Sequence, residues 1–515
     1  MPERGIDPVE QAWQPQPQGV ITEDYQCNLA LLQKAARARE SEDVQIHEFL
    51  LLGHPAALIY IDGMVNSEQL QQFLLEPALH APALPENTDL AEHLMQAVLP
   101  LGSVSQVFHL SPLLTRIFSG DAALICDTMN GALAADLKGF VRRIPGKPVN
   151  ETVVVGPHEG FNESLRDNVV LIRRLMRTPA LISEAMTVGN KIPARICLLY
   201  LDGIARQENV EEIRRRIRGC NVDYVSSLGM LEQLIEDKPW SLLPQAASTE
   251  RPDRAVSFLS EGQIIILMEN APRALALPMG FLHLYHAPDD TNMRWQYGTF
   301  LRLLRMAGML IALLLPALFV ALSMFHPEGM SLSLLTSVLE TQARVPLSLF
   351  SSMLLVLLIF SLINEAGVRV PGAMGGSLSI VSGLILGQAA VEADLFSPLV
   401  IIIVAVSGLG SYAVPSFSLT LSLRLAQLLL VLASGIGGYL GLTLGLFFLL
   451  IRAAGLTSLR SPYFAPNAPK RPSNPDGVVR LPVWRQRLRG GIANPFHMNR
   501  TLGRMRAWEK NEEEP

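Results

Sequence analysis

The sequence lacks the features that identify secreted, zinc-binding or nucleotide-binding proteins. Only four cysteines occur in 515 residues, far apart and without a C-x-x-C pair. We therefore expect reduced thiols of a cytosolic domain, with no disulfide framework and no metal site. Residues 1–19 contain no apolar run of the kind found in signal peptides, so we expect a flexible arm rich in Pro and Gln there.

Catalytic patterns are missing as well. Neither a G-x-G-x-x-G loop nor a Walker A loop follows a predicted strand, and no Ser/His/Asp or Cys/His arrangement stands out. The net charge of −5 gives no reason to expect nucleic acid as a partner. From these absences we predict no catalytic residue, no metal and no cofactor, and hence no enzyme.

Charged residues are also scarce over residues 306–451, whereas they are frequent before and after this stretch. This asymmetry predicts a two-part chain in which an α/β N-terminal cytosolic region is followed by an all-α polytopic transmembrane domain. The expected order is a flexible arm over 1–42, a first lobe over 43–150, a signature helix with a second lobe over 151–295, a transmembrane domain of four to six helices over 296–455, and a basic cytoplasmic tail over 456–515.

The soluble part contains an internal repeat. Residues 57–73 and 197–213 each read as a short apolar strand that ends in Asp-Gly, followed by a turn and an amphipathic helix. Residues 119–134 and 260–276 match each other in the same order, and their strands end in Asp127 and Glu269. Two matches in one order predict a duplicated lobe, so that the α/β region consists of two repeated lobes.

The acids at the strand ends have two readings. In an α/β crevice, acids at the carboxyl ends of strands bind metals or ligands. Asp-Gly is also ordinary turn chemistry, in which the acid caps the following helix. The sequence favours the second reading but leaves the first one open.

Residues 156–179 read GPHEGFNESLRDNVVLIRRLMRTP and predict an amphipathic helix that starts near Pro157. Arg166, Arg173 and Arg177 are spaced so as to form one basic stripe on this helix. We expect them to form an assembly interface through ion pairs with acids of the two lobes or of a neighbouring subunit. Contact with anionic lipid is the alternative.

Four apolar runs are candidates for membrane spans, at residues 306–325, 346–363, 396–414 and 425–451. Residues 371–391 are less apolar and rich in glycine, which fits a short span or a re-entrant element. Arginines and lysines flank the first and last runs, so both termini are expected to be cytoplasmic and the number of crossings even. Four crossings are expected, or six if the short pieces also cross.

Small residues recur every fourth position in two of these segments. The predicted helix-packing positions are Gly375, Gly383 and Gly387 in one ridge, and Gly437, Gly441 and Gly445 in the other. One ridge could instead pack subunits around a pore. Polar residues near the apolar runs are few, and they either lie at the interface or mark an ion path.

Several strings resemble the GerA family of spore germination proteins. They are the segment 156–179, VGNKIPARICLLYLDGIA (188–205), VPGAMGGSLSIVSGLILGQAAVEADLFSP (370–398) and SPYFAP (461–466). Their order and spacing cover roughly residues 40–470. The resemblance implies a germinant receptor A subunit in the inner membrane of the endospore, together with a transporter-like B subunit and a lipoprotein C subunit. It also implies a homo-oligomer that conducts cations.

If a pore exists, its expected polar groups are Asn364, Glu365, Gln388 and Glu392, on helices near 346–365 and 371–391. The alternative is a non-conducting membrane scaffold, or a SpoVAF-type paralogue that amplifies germination without its own nutrient sensor. A membrane enzyme is a weaker third reading. The sequence does not identify the nutrient, the ion or the oligomer number, nor whether the lobes bind a ligand.

Overall fold

The computed structural model describes residues 19–80, 89–101, 103–139, 146–148, 150–153, 155–369, 387–474, 476–501 and 505–506. These residues form two compact units. Unit 1 contains the described residues up to 237 together with 246–279 and 487–506, and unit 2 contains 238–245 and 280–486.

Unit 1 begins with a lobe built on a five-stranded antiparallel sheet in the order β1-β2-β4-β5-β3. Its first helix falls inside the segment for which a flexible arm was predicted. The elements of lobe 1 are α1 (Tyr25–Ala35), β1 (Val44–Leu51), β2 (His54–Ile61), α2 (67–79, with a π-helical middle at Gln71–Leu75), α3 (90–98, π-helical over Leu94–Val98), β3 (Val104–Val107), α4 (Leu110–Ile117), β4 (Ala122–Cys126) and β5 (Ala132–Ala135).

Lobe 2 repeats this plan, with a sheet in the order β6-β7-β9-β10-β8. Because the strand order and the antiparallel pairing are the same in both sheets, the predicted duplication is confirmed. The elements of lobe 2 are α5 (Leu165–Leu175), β6 (Leu181–Val188), β7 (Ala194–Leu201), α6 (Gln207–Arg218), α7 (Leu228–Ile235), β8 (Ala247–Thr249), α8 (Pro252–Ser260), β9 (Ile264–Met268) and β10 (Ala274–Leu277).

The central strands are apolar along their whole length because helices cover both faces of the sheet. In β2, Ala57, Ile59 and Ile61 point into a core formed with α1 and α4. The alternate residues Ala56 and Leu58 point into a second core, formed with α2 and α3. Side chains of a strand alternate between faces, so a strand covered on both sides must be apolar throughout.

The antiparallel pairing separates the acids that follow the strands. Asp62 follows β2, and Asp127 follows β4. Because Ala56 pairs with Cys126, Asp127 lies beside the beginning of β2, at the end of the sheet opposite to Asp62. The same register separates Asp202 from Glu269 in lobe 2. The α/β crevice considered for these acids therefore does not form, since such a crevice requires parallel strands.

The chain after residue 486 returns to unit 1 and binds lobe 2. Arg489 donates to the carbonyl oxygen of Ser260 at 3.0 Å, and the backbone amide of Gly490 donates to the carboxylate of Glu261. The amide of Phe496 donates to the carbonyl oxygen of Ile204 at 3.0 Å. Part of the predicted basic tail is thus an ordered strap on lobe 2.

Unit 2 is mostly helical. Its elements are α9 (Phe281–Tyr285), α10 (Asp289–Asn292), α11 (Trp295–Phe325), α12 (Leu332–Arg344), α13 (Leu349–Arg369), α14 (Pro398–Tyr412), α15 (Phe417–Ala454), β11 (Thr457–Ser458) and β12 (Ser461–Pro462). Single turns of 3-10 helix lie at Pro327–Gly329 and Val483–Arg485.

Helix α15 is broken at Gly438, whose φ of 57° and ψ of −135° lie outside the helical region. A Cβ on Gly441 would lie 2.0 Å from the carbonyl oxygen of Ala433, although residues eight positions apart in a straight helix are about 12 Å apart. The chain therefore turns back on itself, and residues 417–437 and 439–454 form a helical hairpin. We call the end at Gly438 the turn end and the opposite end the base.

The four predicted spans coincide with α11, α13, α14 and α15. By length and composition, α11, residues 349–367 of α13, and α15 as a whole are apolar enough to cross a membrane, whereas α14 is shorter. The last predicted span, 425–451, is not one continuous helix, because Gly438 divides it. Most of the glycine-rich stretch 371–391 lies outside the described residues, so the number of crossings stays a prediction.

Candidate functional site at the junction of the lobes

The signature helix α5 begins eight residues later than predicted, at Leu165 and not at Pro157. A local bracket of hydrogen bonds holds the preceding residues away from helical geometry. The amide of Asn162 donates to Oδ1 of Asn168 at 2.8 Å, and Nδ2 of Asn168 donates back to the carbonyl oxygen of Asn162 at 2.7 Å. Ser164 caps the helix by accepting from the amide of Asp167. Such side-chain bonds compete with helix formation.

The same bracket precedes α1. The amide of Thr22 donates to Oδ1 of Asn28 at 3.0 Å, and Nδ2 of Asn28 donates to the carbonyl oxygen of Thr22 at 2.6 Å. Asp24 takes the role of Ser164 as the helix cap. The repeat therefore starts near residue 21, earlier than the sequence analysis placed it. A shared Glu followed five positions later by Asn, in 23–28 and 163–168, was the available signal.

Arg173 of α5 is fully buried and binds lobe 1. Its guanidinium donates to both carboxylate oxygens of Asp43, at 2.6 and 3.0 Å, and lies 5.4 Å from the ring centre of Phe118. It also donates to the carbonyl oxygen of Thr178 at 3.1 Å. A paired and hydrogen-bonded guanidinium tolerates burial, whereas an unpaired one does not.

Arg166, about two turns before Arg173 on the same side of α5, pairs with Asp62 at the surface. Helix α5 packs against the Asp-Gly turn of lobe 1. Gly63 has a φ of +78°, and a Cβ there would lie 2.6 Å from Cγ2 of Val170. Val170 is itself buried in the core that contains α1 and α4. The second copy of the repeat thus contributes an apolar side chain to the core of the first.

A reciprocal ion pair joins the lobes in the other direction. Arg37, which follows α1, pairs with Asp202 of the Asp-Gly turn in lobe 2. Nearby, the amide of Glu42 donates to the carbonyl oxygen of Ser183 at 2.9 Å. Both Asp-Gly acids therefore bind an arginine of the other lobe. Among the described residues, no group of three His, Cys, Asp or Glu side chains is arranged to hold a metal ion.

The predicted stripe of Arg166, Arg173 and Arg177 is not a single face. Helix α5 ends at Leu175, and Arg173 points inward, so the helical spacing does not extend to Arg177. Arg177 is exposed and donates to the carbonyl oxygen of Arg174 at 3.2 Å. Whether these arginines also serve assembly between chains stays a prediction.

The four predicted polar membrane residues have different environments. Oδ1 of Asn364 accepts a hydrogen bond from the hydroxyl of Tyr412, and Nδ2 of Asn364 is buried with no hydrogen-bond partner among the described residues. Glu365, Gln388 and Glu392 are exposed on the surface of unit 2. The guanidinium of Arg424 lies 5.6 Å from the ring centre of Tyr412, which the sequence analysis did not connect to Asn364.

The two glycine ridges also differ. Gly375 and Gly383 lie outside the described residues, and Gly387 and Gly437 face open space. Gly441 lies against Ala433, and a Cβ on Gly445 would lie 3.1 Å from Leu430. Gly441 and Gly445 of the second ridge therefore pack the two halves of the hairpin against each other, because Gly438 interrupts the helical repeat.

A buried ionic cluster in unit 2 was missed by the sequence analysis. Asp290 is fully buried and accepts from Arg302 and Arg305, and Arg302 also donates to Asp476 at 2.6 Å. Burial, reinforced by Arg302, lowers the pKa of the neighbouring His286 to about 3. Asp476 is 174 positions from Arg302, and Asp290 precedes the helix that carries both arginines, so no helical spacing reveals the cluster.

Comparison with known proteins identifies relatives that match most of this chain. A model of the Bacillus/Clostridium GerA spore germination proteins matches residues 31–492. Spore germination protein KA of Bacillus subtilis is 32% identical over 83% of this chain and 79% of its own length. Spore germination protein B1 of the same organism is 33% identical over 90% of this chain and 96% of its own length.

Among solved structures, the N-terminal domain of the A subunit of the Bacillus megaterium spore germinant receptor GerK3 matches this chain. The identity is 29%, and the match covers 52% of this chain and 99% of that domain, with a TM-score of 0.40.

Proposed function

Since this chain belongs to the Bacillus/Clostridium GerA family of spore germination proteins, we propose that it is a membrane subunit of a nutrient germinant receptor and that it assembles into a homo-oligomeric cation channel. The family match over residues 31–492 supports the role in germination. The channel is proposed from the polar residues of unit 2.

The observation that carries the channel proposal is the exposure of Glu365 on an apolar helix. Residues 349–367 of α13 are apolar enough to span a membrane, yet the side chain of Glu365 lies on the surface of the single chain. A carboxylate near hydrocarbon is costly unless it faces water or another protein. An oligomer that places Glu365, with Asn364, Gln388 and Glu392, toward a common aqueous path meets this requirement.

Ion flux tests the channel directly. The full chain is reconstituted in vesicles with its receptor partners, and potassium release is measured for Glu365→Gln and Glu392→Gln. Each variant should change conductance or selectivity by roughly tenfold, because removing a charge from a narrow pore alters the electrostatic barrier. Glu328→Gln is the matched control, since Glu328 is an exposed acid at the turn end. Unchanged flux and selectivity in both variants would disprove that these carboxylates line an ion path.

Variants of the three arginines separate an effect on assembly from an effect on folding. Arg166 and Arg173 are bound within the chain, whereas Arg177 is exposed next to Leu175, which is 46% exposed. If this surface joins subunits, Arg177→Glu should reduce the oligomer in cross-linking without lowering the thermal stability of the monomer. Arg173→Ala would lower both. Normal cross-linking of Arg177→Glu would count against an assembly role.

The proposed partners are a transporter-like B subunit, a lipoprotein C subunit and membrane lipid. The proposed location is the inner membrane of the endospore, with both termini on the core side. Cys27 is exposed in unit 1 and reports this orientation. In sealed right-side-out vesicles, which keep the core side inside, a membrane-impermeant thiol reagent should label Cys27 only after permeabilisation. Labelling before permeabilisation would show the opposite orientation.

The alternative is a non-conducting scaffold of the SpoVAF type, which the closely packed apolar core of unit 2 favours. Val320, Met353, Val400 and Leu430 are completely buried together there. Packing of this kind requires no ion path through the single chain. The same flux measurement decides, because a scaffold retains assembly and loses nothing when Glu365 and Glu392 are replaced.

A further inference from the structure

Lys238–Gln245 forms a short closed loop in unit 2. The amide of Lys238 donates to Oε1 of Gln245 at 3.0 Å, and Nε2 of Gln245 donates to the carbonyl oxygen of Lys238 at 2.8 Å. Oγ of Ser458 donates to the carbonyl oxygen of Gln245 at 2.6 Å. Since Gln245 is only 1% exposed, these bonds fix the neck of the loop.

The loop lies across the base of the helical hairpin. Oγ of Ser422, near the start of the first half of α15, donates to the carbonyl oxygen of Leu242 at 2.6 Å. Nζ of Lys238 donates to the carbonyl oxygen of Gly455, directly after the second half. In a straight α15 these two contacts would be about 50 Å apart, so the loop marks the end at which both halves leave the apolar region.

Between these two contacts the loop presents Trp240, whose side chain is 93% exposed. Another large side chain is exposed at this end, since Tyr412 lies at the end of α14 beside Arg424. Arg424 and Arg452 stack on aromatic rings near the base. Exposed Trp and Tyr next to basic residues are typical of the membrane–water interface.

We propose that Trp240 inserts into the lipid headgroup region at the base of the hairpin, so that the loop Lys238–Gln245 is an interfacial membrane anchor. The indole body meets the upper acyl chains while its N–H stays at the polar boundary. Lys238, which is exposed, lies beside it and can meet lipid phosphate. Lipid is favoured over a protein partner because the loop is bonded directly to both ends of an apolar hairpin. The inference uses the apolar character of α15 and is independent of any channel.

The test uses the full chain with Trp240 as its only tryptophan, after replacing Trp13, Trp295, Trp484 and Trp508 with Phe. The protein is reconstituted in phosphatidylcholine and phosphatidylglycerol vesicles whose acyl chains carry bromine at shallow or deep positions. Shallow bromine should lower the Trp240 fluorescence roughly twofold more than deep bromine does, as for interfacial aromatic residues. Iodide added to the water should quench it weakly.

A second variant supplies the reference for water. It has no native tryptophan and carries Leu50→Trp, since Leu50 is 66% exposed on a strand of lobe 1. Quenching of Trp240 by iodide to the level of this reference would overturn the proposal. Protection from both iodide and brominated lipid would also overturn it, because a protein surface would then cover the indole.

Discussion

The two lobes share one fold but differ in what their first helices carry. Both lobes have the same strand order and the same asparagine bracket, at Asn28 and Asn168. Five residues after its bracket, α5 carries Arg173, which is buried against Asp43. The equivalent residue of α1 is Gln33, which is only partly buried. The helix of the second copy therefore contributes a buried ion pair that the helix of the first copy does not.

The two helices show which parts of this duplicated domain have diverged. The bracket and the sheet are needed by each copy alone, so both copies retain them. The helix surface that meets the other copy became specialised, with Val170 and Arg173 entering lobe 1. Within the described chain, the strap at Arg489 and Gly490 is likewise a property of lobe 2. The two copies thus keep the Asp-Gly acids of the contact but differ at the helix positions that enter it.

The largest expected effect comes from removing the buried pair. Arg173→Ala should lower the free energy of unfolding of unit 1 by about 3–5 kcal/mol, because the carboxylate of Asp43 would be left in a buried place without its partner. Hydrogen exchange of the strands in the detergent-solubilised full chain measures this loss. Gln33→Ala, the same position in α1, should cost less than about 0.5 kcal/mol. Similar losses in both variants would contradict the specialisation of α5.

Removal of the asparagine bracket, in contrast, should destabilise the two lobes by equal amounts. Asn28→Ala and Asn168→Ala each leave a backbone amide and a carbonyl group without their partner, at a cost of about 2 kcal/mol. Asn28 is 3% exposed and Asn168 is 0% exposed, so the two side chains are buried to nearly the same extent. Thermal unfolding of the two variants should agree closely. A loss confined to one variant would show that the bracket is structural in only one copy.

Acid should distinguish the lobes through Glu212 of α6. Hydrogen bonds from Arg215 and Arg216 lower the pKa of Glu212 to about 2 from 4.5. A carboxylate with a lowered pKa stabilises the fold above the pKa of the unfolded state, and this stabilisation is lost as the pH falls from about 4.5 toward 2. Because Arg215 is largely exposed, we expect about 1–2 kcal/mol.

The matched control for the acid effect is in lobe 1, where the position equivalent to Glu212, counted from the Asp-Gly turn, is Gln72. Glu212→Gln should remove this part of the pH dependence, so the variant and the native chain should converge in stability near pH 2. Replacing Gln72 with Ala should leave the pH dependence unchanged. A native-like pH profile of Glu212→Gln would show that its arginine partners do not act in solution.

The duplication was visible in the sequence because apolar strands and Asp-Gly turns are local patterns. The continuous apolar runs of β4 and β9 predicted buried strands, and both are buried along their full length. The antiparallel direction was not predictable, since a covered strand has the same pattern in parallel and antiparallel sheets. The hairpin at Gly438 was also hidden, because small residues every four positions describe a straight helix equally well.

At the junction, the residue types were identified but not their partners. Helical spacing placed Arg166 and Arg173 on α5, yet it could not show that Arg173 points inward to Asp43. Pairing depends on contacts between residues that are more than a hundred positions apart. The start of α5 was placed too early because Pro157 favours a helix start, whereas the bonds between Asn162 and Asn168 hold the chain open.

The smallest expected effects belong to the two reciprocal surface pairs, Arg166–Asp62 and Arg37–Asp202. Their side chains are between 23% and 54% exposed, so each pair should contribute only about 0.2–1 kcal/mol, which salt would reduce further. Double-mutant cycles with alanine, measured at low and high salt, give the two coupling energies. Equal and salt-sensitive values would mean that the surface pairs add little to the specialisation of α5, which then lies in its buried residues Val170 and Arg173. A coupling of Arg166 with Asp62 far above that of Arg37 with Asp202 would extend the specialisation to the whole contact surface of α5.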